Sequence, residues 1–275
     1  GKKTTVLRVH MSEFSPPFVG AIDQGTQSSR FILFDSKAAV VASHQKSHHQ
    51  IIPQPGWCEH NPDEIVESVE ECVREVMTKI DGLGLSANDI KCVGITNQRE
   101  TTVVWDRETG APLHNALVWL DTRTRVTCDL VVAAHGGDRD CLRDKCGLPI
   151  STYFSGMKLR WLLDHVPEVR AAADAGRALF GTIDSWLIYR LTGGAVHVTD
   201  VTNASRTMLM NLATCAWDED LCTRIGVPMS LLPEIRSSSE VYGRFASGPL
   251  KGVPISACLG DQQSACVGHC AFRPG

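Results

Sequence analysis

Long apolar runs are missing from this 275-residue chain: none approaches the roughly 20 residues needed to span a bilayer, and no membrane insertion is expected. Residues 1–15 lack the apolar core of a signal peptide. Excess charge of one sign is also missing. The formal net charge is -4, which gives nucleic acid or an acidic membrane nothing to be drawn to. Internal repeats and low-complexity segments are absent. The 11 cysteines are odd in number and follow no repeating spacing, so a secreted disulfide framework is excluded and a reducing, cytoplasmic setting is expected. Cys266 and Cys270 flank His269, a hint of metal ligation. No second ligand pair stands nearby at zinc-like spacing, and small apolar residues on a helix are the preferred reading. What remains is an ordinary globular composition, long enough for one large domain or two modest ones. Residues 1–17 are expected to form a flexible tail, with Met11 an alternative start. The closing Arg273-Pro274-Gly275 is turn chemistry directly after a helix, which suggests a truncated chain.

Turn-formers divide the chain into short elements. Apolar runs at 18–22, 30–34 and 39–42, separated by 23–29 and 35–37, predict a three-stranded antiparallel meander. Asn61-Pro62-Asp63-Glu64 is a helix start, with an N-cap, a proline at the first helical position and acids in the first turn. Ile65, Val69, Cys72, Val73, Val76 and Ile80 continue it at helical spacing until Asp81-Gly82. Strands are expected at 92–96, 101–105 and 117–119, and helices near 123–135, 157–165 and 184–191. A strand at 253–259 then turns at Gly260-Asp261-Gln262-Gln263 into a last helix. The mixture predicts an α/β fold: a mixed sheet that opens with an antiparallel meander and carries helices on its faces.

Three places carry candidate chemistry. Residues 23–30 place a glycine and hydroxyls in a tight turn between strands. Turn amides and hydroxyls there can donate to phosphate oxygens, Arg30 can add a bidentate donor, and Asp23 stands where a magnesium ion would need a carboxylate. The segment lacks the Gly-Lys-Ser/Thr of a Walker A loop, and on its own it equals a plain hairpin turn. Polar residues 96–100 interrupt two apolar strands. Arg99 and Glu100 can serve the hydroxyls of a polyol, or be no more than a surface ion pair. Asp261 at a strand-to-helix junction is either an N-cap or a base aimed at the cleft beyond the strand ends. Trp119 and Tyr153 are core residues or an apolar wall against a short carbon chain.

Taken together and in order, these motifs resemble the glycerol kinases of the FGGY carbohydrate kinase family. The resemblance runs over 18–268. It rests on residues 23–26, Pro55-Gly56-Trp57, 95–102, Val118-Trp119, 152–155, 179–186, 200–208, 237–243 and 260–263, with Ser155, Lys158 and Trp161 fitting a further family signature. It implies an actin-like, ribonuclease-H-like domain over 18–275, the first of two, with the nucleotide domain beyond the chain. It implies transfer of the γ-phosphoryl of ATP to glycerol with Mg2+, giving sn-glycerol 3-phosphate. By that resemblance Arg99, Glu100, Trp119, Tyr153, Asp261 and Gln262 bind glycerol, Asp261 is also the catalytic base, Thr26, Gln27, Ser28 and Arg30 meet the nucleotide phosphates, and Asp23 lies near the metal. Gln27 departs from the small hydroxyl residue usual in the family. Residues 120–123 look like the animal-type enzymes, for which a homo-oligomer and mitochondrial association are compatible expectations. The competing readings are a kinase for another polyol or sugar, against which Asn97-Gln98-Arg99-Glu100 argues, and a truncated product without turnover.

Overall fold

A computed structural model describes residues 14–273; the expected start at Met11, most of the expected tail, and Pro274-Gly275 lie outside them. In chain order the elements are β1 (Phe18–Gln24), β2 (Ser28–Phe34), β3 (Val40–Ser47), β4 (Glu59–His60), α1 (Pro62–Gly82), β5 (Ile90–Asn97), β6 (Thr102–Asp106), β7 (Ala116–Leu117), α2 (Arg125–Ala134), α3 (Arg143–Cys146), α4 (Ser155–His165) and α5 (Pro167–Asp174). The second half adds β8 (Ala178–Thr182), α6 (Ile183–Leu191), β9 (Val198–Asp200), α7 (Val201–Ala204), β10 (Met210–Asn211), β11 (Ala216–Trp217), α8 (Glu219–Ile225), β12 (Glu234–Arg236), β13 (Gly243–Arg244), β14 (Pro254–Gly260) and α9 (Asp261–Gly268).

The main sheet has the order β13-β14-β5-β1-β2-β3. The expected meander is there, antiparallel from β1 through β3, and β5 and β14 then add in parallel beside β1. Parallel neighbours end together, so the C-terminal ends of β1, β5 and β14 open on one side, where loops can build a site. Side chains alternate across each strand. Ile22 and Phe31 enter the core, while Asp23 and Arg30, paired across the ladder, stand on the opposite, partly open face.

Helix α1 starts as expected. The Asn61 side chain accepts from the Asp63 amide, and the apolar stripe from Ile65 to Ile80 is buried against the sheet. A second sheet, β4-β7-β6-β8, has helices on both faces. Val103, Trp105 and Leu179 point toward α1 and α6, while Val104, Ala178 and Phe180 point toward α4, α5 and α8. The sequence reading missed β8, which is short, apolar and fully buried and so carries no alternation to mark it. The segment expected as a strand at 117–119 pairs only at Ala116–Leu117, and Trp119 lies in the turn beyond it.

Candidate functional site

The site gathers where β1, β5 and β14 end. The turn after β1 is closed by the Gly25 amide donating to Ser28 O at 2.9 Å. Below it lies a buried amide layer. Gln98 donates through its backbone to Gln24 O (2.7 Å) and through Nε2 to Gln24 Oε1 (3.0 Å) and Gly25 O (3.2 Å), while Thr101 Oγ1 donates to Gln98 Oε1 at 2.8 Å. The turn is therefore fixed from beneath. The sequence alone gives Gln24 and Gln98 no part in this; their burial is invisible in a polar stretch of sequence.

On the partly open face Arg30 Nη1 donates to Asp23 Oδ2 at 3.2 Å, and Arg30 Nη2 to Gln45 Oε1 at 2.9 Å. Gln45 Nε2 in turn donates to Ser28 Oγ at 2.8 Å. Burial pushes the Asp23 carboxyl up, Arg30 opposes this, and the nearby Asp261 charge adds to it. Asp23 Oδ1 takes no protein hydrogen bond. A half-buried carboxylate with a free oxygen and a second acidic group nearby could hold a hydrated magnesium ion on one protein oxygen. Thr26 Oγ1 accepts from the Trp119 indole Nε1–H at 2.9 Å, which leaves its own hydroxyl proton free to donate. Gln27 is exposed at the turn's edge.

Arg99 and Glu100, adjacent in sequence, diverge in space. The Arg99 chain lies across Gly260, where a Cβ would come within 2.5 Å of Arg99 Cδ, so any larger residue there would have to displace Arg99. Its Nη1 donates to Gln263 Oε1 at 3.3 Å. Its Nε is 3.1 Å from Asp261 Oδ1, an ion pair whose N–H direction misses the oxygen, so that buried donor remains without an acceptor. Glu100 adopts a left-handed backbone (φ 61°), uncommon for a non-glycine residue and characteristic of functional sites. It is almost wholly buried, and Oε1 accepts from Arg206 Nε at 2.6 Å. Burial pushes the Glu100 carboxyl up, and the Arg206 bond opposes that. Oε2 takes no protein hydrogen bond.

Trp119 and Tyr153 stand together, ring centroids 5.5 Å apart, with Arg206 above the Tyr153 and Phe154 rings. Asp261 is the first residue of α9 rather than its N-cap. Gly260 holds the cap position, and the Asp261 carboxylate accepts only from the adjacent Gln262 amide at 2.8 Å. The cap reading is thereby removed, and the carboxylate is more than a third exposed. Gln262 is exposed beside it. The Gly260 amide donates to Thr202 Oγ1 at 2.8 Å, and Thr202 Oγ1 donates to Asp200 Oδ2 at 2.7 Å, so the junction is anchored from behind. The sequence alone gives Arg206 and Thr202 no part in the site, although both lie within 200–208.

Among the described residues, the one cluster with metal-ligating geometry is Asp184, Asp200 and Cys258. It is buried and already satisfied: Asp184 accepts from Thr182 and Thr199, and Asp200 from Asn203, Thr202 and Ser238. Cys266 and Cys270 are exposed and belong to no such cluster. No described helix is long and apolar enough to cross a membrane.

Residues 18–268 match the N-terminal domain of the FGGY family of carbohydrate kinases. The glycerol kinase of Brucella anthropi is 56% identical over 263 residues, covering 94% of this chain and 51% of that protein. The crystal structure of Plasmodium falciparum glycerol kinase with ADP superposes with a TM-score of 0.86 at 41% identity, over 95% of this chain and 52% of that one. Rhodospirillum rubrum xylulose kinase, 22% identical with a TM-score of 0.80, shares the fold. The chain thus spans about half the length of the relatives it matches.

Proposed function

The chain belongs to the FGGY family of carbohydrate kinases, and from that premise we propose that it forms the polyol-binding half of an enzyme that transfers the γ-phosphoryl of ATP to glycerol, giving sn-glycerol 3-phosphate and releasing ADP. The observation that carries the reading is the convergence of Arg99, Glu100, Trp119, Tyr153 and Asp261 from four separate segments at the ends of β1, β5 and β14, beside the Thr26 turn. That arrangement offers a carboxylate for a proton, charged donors and acceptors for neighbouring hydroxyls, an aromatic wall for carbon, and donors for phosphate.

Phosphoryl transfer asks mainly for positioning and charge neutralisation. Asp261 accepts the proton of the attacking terminal hydroxyl; Arg99, 3.1 Å away, orients its carboxylate. The Arg99 guanidinium and Glu100 Oε2 take the other hydroxyls, and because the Glu100 side chain is almost wholly buried, a substrate lacking its hydroxyl leaves that carboxylate unsatisfied. Trp119 and Tyr153 cover the carbon backbone, with Gln262 at the rim. The Thr26 hydroxyl, the turn amides near Gln27 and Ser28, and Arg30 face the phosphates. Asp23 would hold magnesium through water, and the ion would neutralise phosphate charge. The half of the relatives' length that this chain does not span would supply the rest of the nucleotide site and the closure that excludes water. The 11 free cysteines support a reducing, cytoplasmic setting. ATP-dependent phosphorylation of glycerol by the product of the full reading frame tests this. Phosphorylation of a pentulose in preference to glycerol would move the enzyme to another branch of the family, and no turnover at all would support a non-catalytic product.

A further inference from the structure

Helix α4 lies beneath the site, and its first turn reaches four separate segments of it. Ser155 Oγ donates to Glu100 O at 3.0 Å. The Gly156 amide donates to Thr207 O at 2.8 Å, next to Arg206, and a Cβ at 156 would come within 2.6 Å of that carbonyl. Lys158 Nζ donates to Thr152 O and, at 3.3 Å, to Asp121 O. Thr152 precedes Tyr153, and Asp121 follows Trp119 by two residues. One ammonium therefore clamps the two backbones that carry the aromatic wall.

Lys158 is completely buried. Its hydrogen bonds go to carbonyls, with no carboxylate accepting from it, and burial lowers its pKa to about 8. Burying an ammonium on such terms opposes stability, and an apolar side chain of similar volume would fill the space at less cost. Its contribution therefore lies in what it fixes. Asp121 is rigid in its own right: Oδ2 accepts from the Cys58 amide at 2.6 Å, and both carboxylate oxygens accept from Arg123. The clamp thus ties the Tyr153 segment to an already immobile anchor.

We propose that Lys158 is a positioning residue for the substrate: by holding the Trp119 and Tyr153 segments together through their carbonyls, it sets the width of the wall against which a short polyol packs. This rests on the glycerol-phosphorylating reading above. A misplacement of about 1 Å near a reacting centre can cost on the order of 100-fold. The test uses the product of the full reading frame, with K158M and K158Q. K158M keeps the volume and removes both donors; K158Q keeps two donors without the charge. K158M is expected to raise the KM for glycerol by ~10–100-fold while the KM for ATP stays within about twofold, and K158Q is expected to fall between K158M and the parent. A merely structural role would lower the melting temperature and move both constants together. An unchanged glycerol KM in the folded variants, a parallel rise in both constants, or failure of both variants to fold overturns the positioning role. A parent enzyme that does not phosphorylate glycerol overturns the functional reading and this one with it; a parent that does, without the split in the variants, overturns this one alone.

Discussion

Replacing Arg206 with alanine isolates the part of the site that the sequence left unassigned. Arg206 Nε sits 2.6 Å from Glu100 Oε1, and the Glu100 side chain is only 2% exposed. Removing the guanidinium leaves a buried carboxylate without its charged partner. Breaking a buried pair in this way costs about 3–5 kcal/mol, and the residual 24% exposure of Arg206 argues for the lower end. For a domain of this size, ~3 kcal/mol corresponds to roughly 6–12 °C in melting temperature. The sign of the pH dependence follows from Glu100. Its folded pKa is already raised by burial, and loss of Arg206 removes the largest opposing influence, raising it further. A carboxyl with a raised folded pKa binds more protons folded than unfolded, so stability falls as pH rises from the unfolded value, near 4.3, through the folded one. The penalty in Arg206→Ala is therefore largest at pH 8 and shrinks on acidification. Adding Glu100→Gln, which removes the stranded charge, is expected to recover part of the loss at pH 8. Thermal melts of the parent, Arg206→Ala and the double variant at pH 5 and pH 8 provide the measurement. Equal penalties at both pH values, with no recovery in the double variant, would refute the reasoning.

Other expectations follow from single contacts. Gly260→Ala drives a Cβ to within 2.5 Å of Arg99 Cδ and is expected to raise the KM for glycerol by about tenfold, a binding loss of ~1.4 kcal/mol, with a smaller effect on ATP; equal effects on both substrates in steady-state kinetics would count against the Arg99 placement. Trp119→Phe keeps the wall but removes the indole donor to Thr26 Oγ1, so the KM for ATP is expected to rise by roughly 2–10-fold, a loss of ~0.5–1.5 kcal/mol; an unchanged KM for ATP would show that this bond does not orient Thr26. The 275-residue chain alone is expected to lack kinase turnover, since binding energy from remote parts of ATP is unavailable to it; turnover within about tenfold of the full product in a coupled assay would contradict this.

Much of the fold was legible because its signals are local. The antiparallel opening followed from apolar runs broken by turn residues, and α1 from Asn61-Pro62 and a helical stripe. The four-stranded sheet was less legible. β4, β7 and β8 are short or uniformly buried, and their pairing is decided by tertiary packing rather than by alternation. At the site, no single motif was distinctive, since residues 23–30 alone equal a plain hairpin turn; the candidate residues were legible only from the motifs taken together in order. What could not be read was how neighbours separate: Arg99 turns to Asp261 and Glu100 to Arg206, a divergence set by the left-handed backbone at Glu100. Gln24, Gln98 and Lys158 were hidden for the opposite reason. Polar residues ordinarily sit in water, and only long-range contacts place these three beneath the cleft.

The central claim, that a polyol loses its proton to Asp261 as it takes the γ-phosphoryl of ATP, is tested most directly by glycerol phosphorylation in the product of the full reading frame, parent beside Asp261→Asn. General-base catalysis contributes ~10²–10⁴-fold, and the Asp261 carboxylate takes no long-range hydrogen bond whose loss would unfold the chain. The account predicts formation of sn-glycerol 3-phosphate by the parent, and a fall in kcat of at least about 100-fold in the variant with an unchanged melting temperature. A folded Asp261→Asn enzyme that turns over glycerol at close to the parent rate would contradict it.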